Sequence, residues 1–224
     1  MKPTQIIRTF TRHHPFIGPL FWIVSVQYYI IQVIVAGAWS IDYSLRNNTI
    51  SDLGNTVCGI YAGRYVCSPL HDLMNASFIS LGITMIIGSV LVYQGFKKSQ
   101  ITKIGFSFMA IAGIGTIVVG LFPENTDASL HALGAALPFL VGNLGLLILG
   151  YVLDIPKSLR YYTILSGYIS LLALLFFTTQ NYLGLGQGGM ERIVAYPQTM
   201  WLIVFGVYIS SNRIRVNMMH RVLK

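Results

Sequence analysis

The sequence predicts an all-α protein: a bundle of six transmembrane helices with both termini cytoplasmic and a long, disulfide-closed outer loop between the first two helices. Three observations lead there. Of 224 residues, 54% are hydrophobic and only 10% are charged, against about 25% charged in a soluble domain. Six apolar runs come close to the roughly 20 residues a helix needs to cross a bilayer. They cover 16–37, 73–94, 104–121, 132–153, 161–179 and 194–211 within a single membrane domain, 1–224. Charge is unequal across them: 12 of the 15 Lys and Arg fall on one side, and six of the seven acids on the other. The positive-inside rule makes the basic side cytoplasmic. Helices are the expected spanning form because lipid offers backbone groups no partner, and the alternation of a membrane barrel is absent.

Taken in order, the N-terminal residues are basic and carry His13 and His14, read as head-group contacts. The first apolar run is too long for a cleavable signal and lacks a small-x-small cleavage site, so it stays as a helix. The outer loop 38–70 is too long for a plain connector and is expected to fold over the outer mouth. Within it, Ser51-Asp52-Leu53-Gly54 reads as a capped turn or short helix with a left-handed exit at Gly54. Cys58 and Cys67 lie on the oxidising side with eight residues between them, which favours a disulfide contributing roughly 2–3 kcal/mol. A metal or redox pair is the alternative, but no Cys-x-x-Cys is present. The third and fourth runs are rich in Gly and Ala, which lets helices approach closely; Gly113 and Gly115 could also leave room for a ligand. Residues 180–192 carry Gly184, Gly186, Gly188 and Gly189, giving a mobile or tightly turned lid or connector. The tail is basic and holds His220. The net charge of +8 thus reports topology and contact with anionic lipids. No base-reading module points to nucleic acid.

Ionisable groups are concentrated at the outer end. His71 and Asn75 share a helix face, with Asp72 beside them. His131 starts the fourth helix, Glu124 and Asn125 follow the third, and Glu191-Arg192 precedes the sixth. Polar groups at this depth are costly unless paired or wetted, and often mark a function. The ordinary readings are interfacial histidines, a helix-start acid and an interfacial cation. The sharper one is a shared site: His71, His131, Asp52, Ser51 and Glu191 catalytic; Asn75, Asp72, Glu124 and Arg192 binding substrate.

Several of these residues fall in short motifs: Thr49-Ile50-Ser51-Asp52-Leu53-Gly54, Ser68-Pro69-Leu70-His71 with Asn75, Gly120-Leu121-Phe122-Pro123 with His131, and Gly189-x-Glu191-Arg192. Together they resemble an uncharacterised prokaryotic membrane family, domain of unknown function 998. The resemblance covers nearly the whole chain. It implies a six-helix bacterial protein of the plasma or inner membrane, and no activity.

Function is therefore argued from the site. One reading is a hydrolase or acyl-transfer enzyme acting on a lipid or lipid-linked substrate at the outer face. A histidine would be the base, Asp52 or Glu191 its partner or acid, and Ser51 the nucleophile. A zinc form would use His71, His131 and one carboxylate, leaving one position for water. The alternative is a protein that binds or transports a lipid or small ligand under the loop. Haem held by His71 and His131 ranks lower, and a purely structural cluster is the fourth reading. The cofactor is left open. Membrane lipids are the expected partners, and the small-residue faces allow packing within one chain or between copies as a homo-oligomer.

Overall fold

The computed structural model describes residues 16–96 and 99–222, with 212–222 as backbone only. His13, His14, Lys97, Lys98 and the side chain of His220 lie outside the described residues. Six helices are long and apolar enough to cross a membrane. They are α1 (Ile17–Gly37), α2 (His71–Tyr93), α3 (Gln100–Leu121), α4 (Ala128–Val152), α5 (Lys157–Thr178) and α6 (Gly186–Val222), whose apolar part ends at Ser211. All six expected spans are present. Each helix packs on the next, and α6 returns to α1, so the six form a closed ring.

Two interruptions shape the ring. In α1, Ser25 and Val26 separate Ile17–Val24 from Gln27–Gly37, and the Ser25 hydroxyl lies 3.2 Å from that of Thr84 on α2. In α4, Leu137–Gly142 is π-helical. Pro138 lacks the N–H that would continue the α-helical ladder, and a wider turn absorbs the loss.

Packing holds the ring, since apolar helices gain little from burial when the solvent is lipid. Trp22, Trp201 and Phe205 are fully buried and in contact, with centroid separations of 5.4 Å (Trp22–Trp201) and 4.6 Å (Trp201–Phe205). The Trp201 indole N–H donates to Thr163 Oγ1 across the α5–α6 seam at 2.8 Å. Between α2 and α3 the backbones themselves touch: a Cβ on Gly113 would sit 2.6 Å from the Gly82 carbonyl oxygen. Gly115 likewise backs onto α4, where a Cβ would lie 2.8 Å from Pro138 Cδ. Both glycines serve close packing and leave no room for a ligand.

The loop 38–70 lies over one end of the ring, called here the loop end. It contains a short 3₁₀ helix, Ser51–Gly54, and an antiparallel hairpin of β1 (Gly59–Tyr61) and β2 (Arg64–Val66). Ala62 and Gly63, both at positive φ, form its two-residue turn. The Cys58–Cys67 disulfide closes its base, as expected. The short helix is capped differently from expectation. Thr49 Oγ1 accepts the Asp52 N–H at 3.0 Å and Asp52 Oδ2 accepts the Thr49 N–H at 2.8 Å, a reciprocal box that leaves Ser51 out. Gly54 is not left-handed; the chain leaves through extended Asn55. Gly54 is small because a Cβ there would overlap the Asn75 amide.

The glycine-rich segment is the tightly turned one of its two expected forms. Leu183, Gly184 and Gly186 have positive φ, and Gly186 to Gly189 form the first turn of α6. The Arg46 carbonyl accepts N–H groups from Gly188 (2.9 Å) and Gly189 (3.3 Å), so loop backbone lies directly on the helix start. A Cβ on Gly188 would collide with the Asn48 carbonyl.

Candidate functional site

The loop end gathers the polar residues into three groups. The first is centred on Ser51. Its Oγ lies 2.9 Å from His131 Nε2 and 3.2 Å from Glu191 Oε1. The other imidazole nitrogen, Nδ1, is 2.9 Å from the Phe122 carbonyl oxygen. A carbonyl only accepts, so Nδ1 carries the proton and Nε2 turns a lone pair towards the serine. Glu191 Oε2 also accepts the Ile50 N–H. Ser51 thus has one proton and two acceptors, the imidazole and the carboxyl group. His131 and Glu191 are 7% and 4% exposed, so water competes little for these contacts. Three elements supply this group: the start of the 3₁₀ helix, the first turn of α4 and the second turn of α6.

A cavity opens beneath it towards the middle of the ring. It holds about 40 Å³ of space open to the centre of a water molecule and runs past Tyr28, Phe78, Leu81, Val119 and Phe139. Ser51 and Glu191 line one end, and Met85, Thr116, Gln198 and Thr199 lie furthest from them along α2, α3 and α6.

The second group is centred on Asp52, which is 0% exposed. Arg64 of β2 clamps it with Nε at 2.6 Å and Nη2 at 2.7 Å. Glu124, in the α3–α4 turn, accepts from Asn55 Nδ2 at 3.3 Å and shares a side-chain hydrogen bond with Asp52. Burial pushes the Asp52 carboxyl up, but hydrogen bonds from Arg64 and Glu124 and the Arg64 charge outweigh it and leave it below the ordinary carboxylate range. Glu124 moves the other way, to about 9, through burial first and Asp52 second. Glu124 is therefore a neutral acid donating to an ionised Asp52. Asn125 ties the same turn to the loop, accepting the Thr56 N–H at 3.0 Å and donating to Thr56 Oγ1 at 2.8 Å.

Arg192 forms the third. Its Nη1 donates to the carbonyls of Leu45, Asn48 and Gly188 at 3.1, 2.9 and 2.8 Å, and its Nη2 to the Tyr43 hydroxyl. It fastens the loop to α6.

Of the residues singled out in the sequence, the structure brings Ser51, His131 and Glu191 together. Asp52 turns to Arg64 and Glu124. His71 stays apart: its Nδ1 is 2.8 Å from the Ser68 carbonyl and its Nε2 is 3.4 Å from the exposed Asp72. Asn75 Nδ2 donates to the Gly54 carbonyl at 2.9 Å, and its Oδ1 has no partner. Among the described residues, no three or more His, Cys, Asp or Glu are grouped so as to hold a metal ion. Arg64 was not singled out in the sequence; as the only cation in the hairpin, between the two cysteines, it was the natural partner for a buried loop acid. The Phe122 carbonyl, being backbone, gave no sequence signal.

Comparison with known families matches residues 22–208 to one described as Protein of unknown function (DUF998). No curated protein and no solved structure matches the chain.

Proposed function

This chain belongs to the DUF998 family, and we propose that it is a membrane hydrolase or acyl-transfer enzyme whose nucleophile is Ser51 and whose general base is His131. The observation that carries the reading is the 2.9 Å contact between Ser51 Oγ and His131 Nε2, with Nδ1–H held on the Phe122 carbonyl. That is the geometry a serine nucleophile needs: a base in hydrogen-bond reach, itself oriented by a third group. Here the orienting group is a backbone carbonyl, so the pair works as a dyad.

The chemistry follows from the protons. Ser51 Oγ attacks an acyl carbonyl carbon as its proton passes to His131 Nε2. The imidazolium gives that proton to the leaving group as the bond to it breaks, and the acyl group stays on Ser51. Water or an acceptor alcohol then attacks the acyl carbon and loses its proton to His131, which returns it to Ser51 Oγ. Glu191 holds the Ile50–Ser51 backbone in place and offers the serine proton its competing acceptor. The Asp52–Glu124–Arg64 cluster and Arg192 position the loop that carries the nucleophile.

The loop end is assigned to the extracytoplasmic side. Support comes from the disulfide, from Lys103, Lys157 and Arg160 at the opposite end, and from the excess of Lys and Arg that the sequence assigns to that side. This site would meet substrates from the outer leaflet.

The test is turnover of p-nitrophenyl acetate by protein in lipid nanodiscs. Ser51→Ala and His131→Ala each lose roughly 10²-fold or more of the activity while keeping a cooperative melting transition. Unchanged turnover in Ser51→Ala would remove the serine from the chemistry.

A further inference from the structure

The cavity under Ser51 runs from the loop end towards the middle of the ring, and its dimensions decide which chain it admits. Its length can be read from two helices. Phe78 and Met85 on α2 and Glu191 and Gln198 on α6 all line it. In each pair the residues are seven apart, a rise of roughly 10 Å. The Ser51 end is fixed by Glu191, which bonds Ser51, and by Phe78, which lies against Gly54. At the far end, Thr116 Oγ1 comes within 3.9 Å of Met85 Sδ and Gln198 Nε2 within 4.0 Å of Met109 Sδ, so α2, α3 and α6 meet and close the floor.

Its width follows from its volume. The 40 Å³ open to water centres, spread over that length, leaves a cross-section of about 4 Å². Adding the radius of water gives a free radius of roughly 2.5 Å. One methylene chain passes such an opening; two chains or a branched one do not. The walls are mostly apolar; Tyr28, Thr116, Gln198 and Thr199 are the polar side chains below Ser51 and Glu191, and the Thr116 hydroxyl donates to the Ala112 carbonyl at 2.9 Å. The π-helical turn of α4 places Pro138 and Phe139 in the wall, so the break in that helix helps form the slot.

We infer that the substrate of Ser51 carries a single, straight, medium-length acyl chain, that the chain occupies this slot with its carbonyl at Ser51, and that Met85 and Gln198 at the floor set the chain length accepted. This rests on Ser51 being the nucleophile. A chain that fills the slot touches its walls at every methylene, contacts that a methyl group does not make, so the longer chain is preferred. A chain much longer than the slot has nowhere to place its end.

The experiment compares the rates at which methyl-, octyl- and hexadecyl-phosphonofluoridates modify Ser51, followed by intact mass in detergent micelles. The octyl reagent is expected to react roughly 10²-fold faster than the methyl one, and the hexadecyl reagent to fall back. Ala195→Leu, which fills the slot one turn below Glu191, lowers the octyl-to-methyl ratio at least about tenfold. Met85→Ala opens the floor and moves the preference to a longer chain; it serves if Ala195→Leu does not fold. Ser51 modification at equal rates by all three reagents would overturn the slot while leaving the nucleophile in place. No modification of Ser51 by any of them would instead remove the nucleophile on which the slot depends.

Discussion

At the scale of single residues, the loop end separates carboxyl groups by environment. Asp52 is ionised because a guanidinium clamps it; Glu124 is neutral because burial and the ionised Asp52 oppose its charge. The signs give opposite pH dependences. For Glu124, whose folded pKa is raised to about 9, stability is fully present below the ordinary glutamate range and falls as pH rises towards 9. For Asp52, held low, stability is present above the ordinary aspartate range and is lost as acid protonates it. Melting temperature in micelles should therefore fall from pH 5 to 9, and Glu124→Gln should flatten that slope; a slope unchanged in the variant would place its cause elsewhere. Arg64→Ala strands a fully buried carboxylate and should cost about 3 kcal/mol in chemical denaturation. Ser51→Ala removes only hydrogen-bond contacts and should cost about 1 kcal/mol.

Among elements, the hairpin and the glycine seams carry the clearest consequences. Reducing Cys58–Cys67, or replacing both with Ser, should lower stability by roughly 2–3 kcal/mol. The hairpin carries Arg64, so the same change should loosen its clamp on Asp52. On the α2–α3 seam, Gly113→Val forces apart two backbones that now touch, and should abolish the folded monodisperse peak in size-exclusion chromatography. A surviving peak with native melting would mean that the seam is softer than the Gly82–Gly113 contact indicates. Spans and disulfide were legible in the sequence because each depends on local composition and compartment. The start of α6 was not. Glycine density usually means a turn, and here it meets the need for Arg46 and Asn48 carbonyls to lie against the helix, a demand set by residues about 140 positions away.

The same limit applies to the site in the whole molecule. Sequence placed His131 and Glu191 at one depth, because helix ends can be counted from apolar runs, and left Ser51 on a loop free to fold onto them. It did not join them, since Ser51 meets His131 80 positions on and Glu191 140 positions on, through contacts fixed only when the ring closes. Nor did it separate His131 from His71, which also begins a helix; the rotation of each helix in the ring decides that only His131 reaches the serine. Sidedness is open to a direct check. Leu185, 43% exposed at the loop end, should when changed to Cys react with a membrane-impermeant maleimide in intact cells. Labelling only after permeabilisation would reverse the assigned topology.

The central claim is that Ser51 is a nucleophile made reactive by His131. The most direct measurement is peptide mapping by mass spectrometry after exposing the nanodisc-held protein to a biotinylated fluorophosphonate. A single adduct is expected, on Ser51, absent from Ser51→Ala and slowed roughly 10²-fold or more in His131→Ala. An unmodified Ser51 in folded wild-type protein, or the same rate without His131, would contradict it.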